Sequence, residues 1–235
     1  MLPLLLSRPS GRPLSVLAIG AHPDDIEIGA GGLLLELARV RPQVRYVLLT
    51  GTPERHQEAR NAAAAFLPGA DVTADLFDLP EGRLSAMWET AKDLLERVAR
   101  SCAPDLILAP SPTDAHQDHR TVGEIVPTVF RDHLYLAYEI PKWDGDLGRP
   151  SMYFPMTEAA GRRKTELLHK CYPSQHGRDW WDDEVFLGLA RLRGVECRSR
   201  YAEAFFSAKS EIVVSGDVRA DAASEMEAGD MYQES

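Results

Sequence analysis

An imidazole and two carboxylates crowd one short stretch, Gly20-Ala21-His22-Pro23-Asp24-Asp25. Pro23 fixes its own φ and biases His22 toward extended backbone, which limits how the imidazole can point. Two adjacent aspartates repel each other when both are ionised, and a nearby cation relieves the repulsion. His plus Asp on one tight turn offers mixed nitrogen and oxygen ligands to a metal such as zinc. The second carboxylate is then free to act as a base on water activated by the metal. The alternative is structural: Asp24 or Asp25 caps the following helix, where acidic side chains favour the positive end of the helix dipole.

A second stretch, Ser111-Pro112-Thr113-Asp114-Ala115-His116-Gln117-Asp118-His119-Arg120, repeats these residue types. If a helix begins here, His116 and His119 lie three apart on one face and both imidazoles can point into one crevice. One of them as a third ligand completes a nitrogen and oxygen set with a position left for water, the pattern of a catalytic zinc site. The other, held by a carboxylate, serves as acid or oxyanion partner, with Asp118 the obvious orienter. Loops rich in His and Asp are often plain solvated surface. Two of them, each following a buried strand, in a chain with only seven histidines, favour a metal hydrolase.

The elements that position these clusters are legible as apolar runs. Residues 15–19 read as a strand buried on both faces and 26–37 as a helix, so the first cluster leaves the carboxyl end of a strand. Open α/β sheets place their ligand crevices there. A strand at 43–50, an alanine-rich helix at 54–67 halted by Pro68-Gly69, a strand at 72–79, an amphipathic helix at 84–102 and a buried strand at 104–110 follow. This alternation implies parallel strands, right-handed crossovers and helices on both faces: a Rossmann-like α/β fold with a mostly parallel sheet. Beyond Asp132 the pattern loosens into a smaller, irregular C-terminal part. It has strands at 133–140 and 151–156, helices at 157–170 and 183–193, and short strands or edges at 201–208 and 212–214. The expected organisation is an N-terminal loop over 1–14, one α/β domain over 15–215 and an acidic, disordered tail over 216–235.

A chain of 235 residues suffices for one such domain with a sizeable core. The net charge of −10 argues against nucleic acid and against a polybasic membrane contact, and leaves a small molecule as the expected partner. Cys102, Cys171 and Cys197 are widely spaced and odd in number, which suits reduced thiols and supports neither a disulfide framework nor a Cys-x-x-Cys metal pair. The apolar start at Met1 is short and broken by Pro3, too short for a secretory core, and no run approaches ~18 apolar residues. A cytoplasmic location is expected, and a homo-oligomer is left open.

The sequence resembles the LmbE-like, or PIG-L-type, family of zinc-dependent N-deacetylases. The family's His-Pro-Asp-Asp motif stands as His22-Pro23-Asp24-Asp25, and its His-x-Asp-His motif, followed by a glycine, as His116-Gln117-Asp118-His119 with Gly123. Arg55-x-x-Glu58 with Ala62 is similar to its Arg-x-x-Glu helix. Lys164 with His169, Ser174-Gln175, Arg193-Gly194 and Tyr201-Ala202-Glu203-Ala204-Phe205 are similar to its C-terminal pattern. The likeness spans about residues 15–207. It implies one zinc per chain on His22, Asp25 and His119, with Asp24 as general base, His116 as acid or oxyanion stabiliser, Asp118 steadying His116 and Arg55 contacting substrate. Many members follow His-Pro-Asp-Asp directly with Glu; here Ile26 intervenes, and Glu27 is given no role. The loop between Thr50 and Arg55 is short against many relatives.

The expected reaction is removal of an N-acetyl group from a 2-acetamido sugar or glycoside, releasing acetate and a free amine. The alternative is an amidase acting on a thiol-sugar conjugate or another N-acyl small molecule, and ligands of these types also accept iron, cobalt or manganese. A more remote alternative is a non-catalytic nucleotide-binding domain. Gly29-Ala30-Gly31-Gly32 lies beyond the turn and does not form G-x-G-x-x-G, so these glycines read as sites of close helix packing. Trp143, Tyr153, Trp180 and Trp181 are candidates for a sugar platform, the Trp180-Trp181 pair being the best pocket rim, although each is more often packing. His56, His133, His169 and His176 read as structural or exposed, although His176, which follows the Ser-Gln pair, could line the pocket.

Overall fold

The apolar runs become the middle of one sheet in the computed structural model, which describes residues 3–6 and 11–211. In chain order the elements are β1 (Ser15–Gly20), α1 (Asp25–Leu37), β2 (Gln43–Thr50), α2 (Pro53–Phe66), β3 (Asp71–Leu79), α3 (Trp88–Ala99), β4 (Leu106–Pro110) and α4 (Gln117–Val129). They continue as β5 (Leu134–Tyr138), β6 (Met152–Met156), α5 (Glu158–Cys171), α6 (Asp183–Cys197) and β7 (Tyr201–Phe206). The strand order is β3-β2-β1-β4-β5-β7-β6. β1 to β5 pair in parallel, whereas β7 runs antiparallel to both β5 and β6. The fold is thus α/β and mostly parallel, and the looser C-terminal part extends the same sheet with its last strand inserted between the two before it.

β1 is buried on both faces, as its unbroken apolar run requires. Val16 and Ala18 pack with Leu34, Phe66 and Leu167 on one side. Leu17 and Ile19 pack with Leu95, Val122 and Ile125 on the other. Because β1 lies between β2 and β4, the crossovers that leave β1 and β4 diverge, and a crevice opens at their carboxyl ends. Both His/Asp clusters sit there. The expected helix at 84–102 opens with a 3-10 turn, Leu84–Met87, before α3 begins. The expected strand at 212–214 and tail at 216–235 lie outside the described residues. Among the described residues no helix is long and apolar enough to cross a membrane.

α1 is broken at Ala30, whose φ of −137° is not helical. The break frees buried backbone groups, each costing about 1–3 kcal/mol if left unpaired. Glu203 of β7 supplies the acceptors: the Gly32 N–H donates to Oε1 at 2.6 Å and the Leu33 N–H to Oε2 at 2.8 Å. Lys164 of α5 supplies the donor, its Nζ reaching the Ile28 carbonyl at 2.6 Å and Glu203 Oε1 at 2.7 Å. Two residues of the C-terminal motif are therefore architectural. The glycines around the break are contact points. A Cβ at Gly29 would lie 2.3 Å from the Tyr138 ring, and one at Gly32 would lie 2.1 Å from Met156 Sδ.

Candidate metal centre

The turn after β1 is pinned to its neighbour. The Thr50 N–H and hydroxyl of β2 both donate to the Ala21 carbonyl, at 2.9 and 2.7 Å. Asp24 then takes a φ of 107°, a left-handed conformation that costs a non-glycine residue about 1–3 kcal/mol and tends to persist where function needs it. The capping alternative fails for Asp24, whose side chain makes no cap hydrogen bond although it occupies the N-cap of α1. The Asp25 carboxylate folds back instead, accepting the His22 N–H at 2.8 Å.

Across the crevice, α4 begins at the expected place. His116 is its N-cap, with Nδ1 accepting the Asp118 N–H at 3.2 Å, and His119 follows in the first turn. His22 Nδ1 and His119 Nε2, 97 residues apart in the chain, come within 3.1 Å. Asp25 reaches both, with Oδ1 3.1 Å from His119 Nε2 and Oδ2 3.5 Å from His22 Nδ1. Ligands at ~2.0–2.1 Å around a tetrahedral zinc sit about 3.3 Å from one another, so the two ring nitrogens and the Asp25 carboxylate have a spacing compatible with a metal. His116 stands beside them, offering a nitrogen within 4.8 Å of those of His22 and His119. Its ring is the more exposed of the three, with its centroid 4.5 Å from that of His119 and 5.0 Å from that of His22, so His116 and Asp25 both border the spot where the two buried imidazoles meet.

His22 and His119 each rest their second nitrogen on a carboxylate, the arrangement that fixes tautomer and aim in metal sites. His22 Nε2 lies 3.0 Å from Asp118 Oδ2, and His119 Nδ1 lies 3.1 Å from Asp114 Oδ2. This corrects the expectation that the Asp118 carboxylate steadies His116. Only the backbone N–H of Asp118 meets His116, while its carboxylate turns to His22 and to the N–H groups of Gly82 and Leu84, at 2.6 and 3.0 Å. Those two donors come from the loop after β3 and pull the carboxylate away from its neighbour. Asp114 has no expected role in the sequence, yet it supports His119. Its signal was its place, an acid in the same loop two residues before His116. Asp114 is held in turn by Lys142 Nζ at 2.9 Å and by the His116 N–H at 2.8 Å.

The charges suit a cation. Burial alone would raise the Asp25 pKa, but His119 and His22 outweigh it and hold it well below the usual carboxylate range. Burial opposes charge on His22 as well, yet Asp25 and Asp118 raise it to about 10, and Asp25 and Asp114 raise His119 to about 9. The pocket thus draws positive charge to the spot where the ring nitrogens meet. Burial pushes Asp24 up to about 7 against the pull of Arg55, and burial with the two neighbouring imidazoles lowers His116.

Arg55, in the first turn of α2, lies beside the turn. Its Nη2 donates to the Pro23 carbonyl and, at 2.8 Å, to Asp24 Oδ2. Glu27 is fully buried beneath the site, where it accepts hydrogen bonds from the Tyr46 and Tyr172 hydroxyls and burial pushes its carboxyl up to about 8. Of the aromatic candidates, Trp143 is 65% exposed and stands edge-on to Trp180 at 6.0 Å, one residue after Lys142. Trp181 is instead a core residue packed on Tyr172 and Phe186, and Tyr153 lies on edge strand β6. His56 is buried near the Thr50 carbonyl, and His169 pairs with Asp183.

Residues 17–130 match the PIG-L family, described as GlcNAc-PI de-N-acetylase. An uncharacterized deacetylase of Escherichia coli (strain K12), YaiS, is 32% identical over 142 residues, covering 54% of this chain and 74% of that protein. The structure of N,N'-diacetylchitobiose deacetylase from Pyrococcus horikoshii, complexed with its inhibitor MPG, is similar with a TM-score of 0.63 at 20% identity over 85% of each chain. GalB, the 4-carboxy-2-hydroxymuconate hydratase from Pseudomonas putida KT2440, is similar with a TM-score of 0.66 at 18% identity, over 86% of this chain and 99% of that one. Identities this low establish a shared fold alone. With a deacetylase and a hydratase on one fold, chemistry has to be argued from the site.

Proposed function

The chain belongs to the PIG-L family of de-N-acetylases, and on that footing we propose that it is a metal-dependent hydrolase removing the N-acetyl group from a 2-acetamido sugar or glycoside. The observation that carries this reading is the meeting of His22 Nδ1, His119 Nε2 and the Asp25 carboxylate within 3.1–3.5 Å, with Asp24 and His116 flanking them. His22, Asp25 and His119 would hold one divalent ion, with zinc the best match to this donor set. When bound, such an ion lowers the pKa of water toward ~7 and polarises an acyl carbonyl.

Asp24 is the base: it takes a proton from the attacking water, and Arg55 keeps its carboxylate aimed. His116 is the oxyanion partner. Because Nδ1 accepts the Asp118 N–H, the ring proton sits on Nε2, free to donate to the carbonyl oxygen as charge builds there. One well-placed donor of this kind supplies ~3–4 kcal/mol. The C–N bond then breaks as Asp24 hands the proton it took from water to the amine nitrogen, and acetate is released. Asp118 and Asp114 keep the two ligand imidazoles in the tautomer that faces inward.

A screen for acetate and primary amine over N-acetylated sugars and glycosides tests this, run with chelator and with zinc added back. Release from at least one acetamido sugar, lost on chelation and restored by zinc, is expected. Including a thiol-sugar conjugate and other N-acyl amides separates the amidase alternative. No release from any amide, together with hydration of an unsaturated acid, would move the chain to the chemistry of its hydratase neighbour.

A further inference from the structure

Two short motifs, Arg55-x-x-Glu58 and Ser174-Gln175, have no part in binding the metal, and the fold joins them. Thr52 caps α2 by accepting the Arg55 N–H at 3.3 Å, so the helix starts directly after β2 and its first turn faces the loop that carries Asp24. Arg55 and Glu58, at i and i+3, share one face. Arg55 Nη2 grips both the Pro23 carbonyl and the Asp24 carboxylate, whereas Arg55 Nε is buried without a hydrogen-bond partner, with Glu58 Oε2 3.8 Å away. Glu58 is itself fixed from the far side: the Ser174 N–H donates to Oε1 at 2.8 Å and the Ser174 hydroxyl to Oε2 at 2.6 Å. The segment after α5 thereby reaches the strained turn through two side chains.

We propose that Ser174, Glu58 and Arg55 form a brace whose task is to position Asp24, so that Arg55 and Glu58 are positioning residues for the base. This rests on the reading of Asp24 as the base. The physical reason is the length of the arginine side chain. Gripped only at Nη2 it can swing, and the carboxylate it holds sits on a left-handed residue with few other restraints. Glu58 fixes the charge of the guanidinium from behind, and Ser174 stops Glu58 from turning. A base misplaced by ~1 Å can cost ~10²-fold in rate.

The test compares Glu58→Ala, Glu58→Gln and Ser174→Ala with the wild type by steady-state kinetics on the acetamido sugar found in the release screen, alongside zinc content and crystal structures of the wild type and Glu58→Ala. Glu58→Ala should lower kcat by ~10–100-fold with KM within about twofold and zinc content unchanged. Glu58→Gln, which keeps the acceptor for Ser174, should recover part of that loss, and Ser174→Ala should fall least. In the Glu58→Ala crystal the contact between Arg55 Nη2 and Asp24 Oδ2 should open. Unchanged kcat, a raised KM with kcat intact, or an Arg55–Asp24 contact still closed in that crystal would each overturn the brace. A wild type that releases nothing from any amide, with the contact nevertheless opened in the variant, would remove the deacetylase reading and leave the brace standing.

Discussion

Asp24→Asn lowers kcat by ~10²–10⁴-fold, the range a general base contributes, and leaves the metal bound. Asn fits here better than any other substitute. It tolerates the positive φ that Asp24 adopts, and its amide oxygen still accepts from Arg55 Nη2. The variant removes only the ability to hold a proton. Folding is not at risk, because the substitution takes one negative charge from a buried pair of adjacent aspartates. The melting temperature is therefore expected to hold or rise. Steady-state kinetics, zinc content and thermal unfolding on the same preparation check all three. Undiminished turnover would take the base away from Asp24.

His119→Ala has the second large effect. It removes one of the three proposed donors, and catalytic zinc sites are built on three protein ligands. Zinc content after dialysis should fall from about one per chain to near zero, and activity by ~10³-fold or more, since a Lewis acid contributes several kcal/mol and each 1.36 kcal/mol is tenfold. The same change leaves Asp25 and Asp114 facing an empty space, both having rested on that ring, so lost stability is a rival explanation for lost activity. Asp114→Asn separates the two. It keeps every proposed ligand and weakens the support of His119, along with the ion pair to Lys142, and the expected result is a ~10–100-fold weaker zinc affinity in a folded protein. If His119→Ala keeps its zinc and its activity, the donor set is wrong.

The sequence carried the frame and the meeting of the two His/Asp loops further than the contacts between their side chains. β1, β2 and β4 were legible because buried parallel strands must be apolar on both faces. The meeting of the two loops followed from their place at strand ends on either side of a switch point. What pairs with what was not legible. Asp118 looks like a partner of His116 because they are two apart, but the loop after β3, with the Gly82 and Leu84 N–H groups, decides where that carboxylate points. Asp114 and Lys142 find each other only once β4 and β5 lie side by side. Glu203 stands in the C-terminal motif with no stated partner; it is buried where the break in α1 needs an acceptor. The insertion of β7 between β5 and β6 is not written in the sequence for the same kind of reason, since hydrophobic alternation sets the faces of a strand and not its neighbours. Trp181 stands beside Trp180 in sequence, yet its ring fills the core against Tyr172, because successive side chains leave the backbone in different directions.

The most direct measurement is anomalous X-ray diffraction from crystals grown with zinc. One peak per chain is expected between His22 Nδ1, His119 Nε2 and the Asp25 carboxylate, about 2.0–2.2 Å from each, with a further position open to water. A peak bound by other residues, or none at saturating zinc, would contradict the metal centre from which the proposed hydrolysis follows.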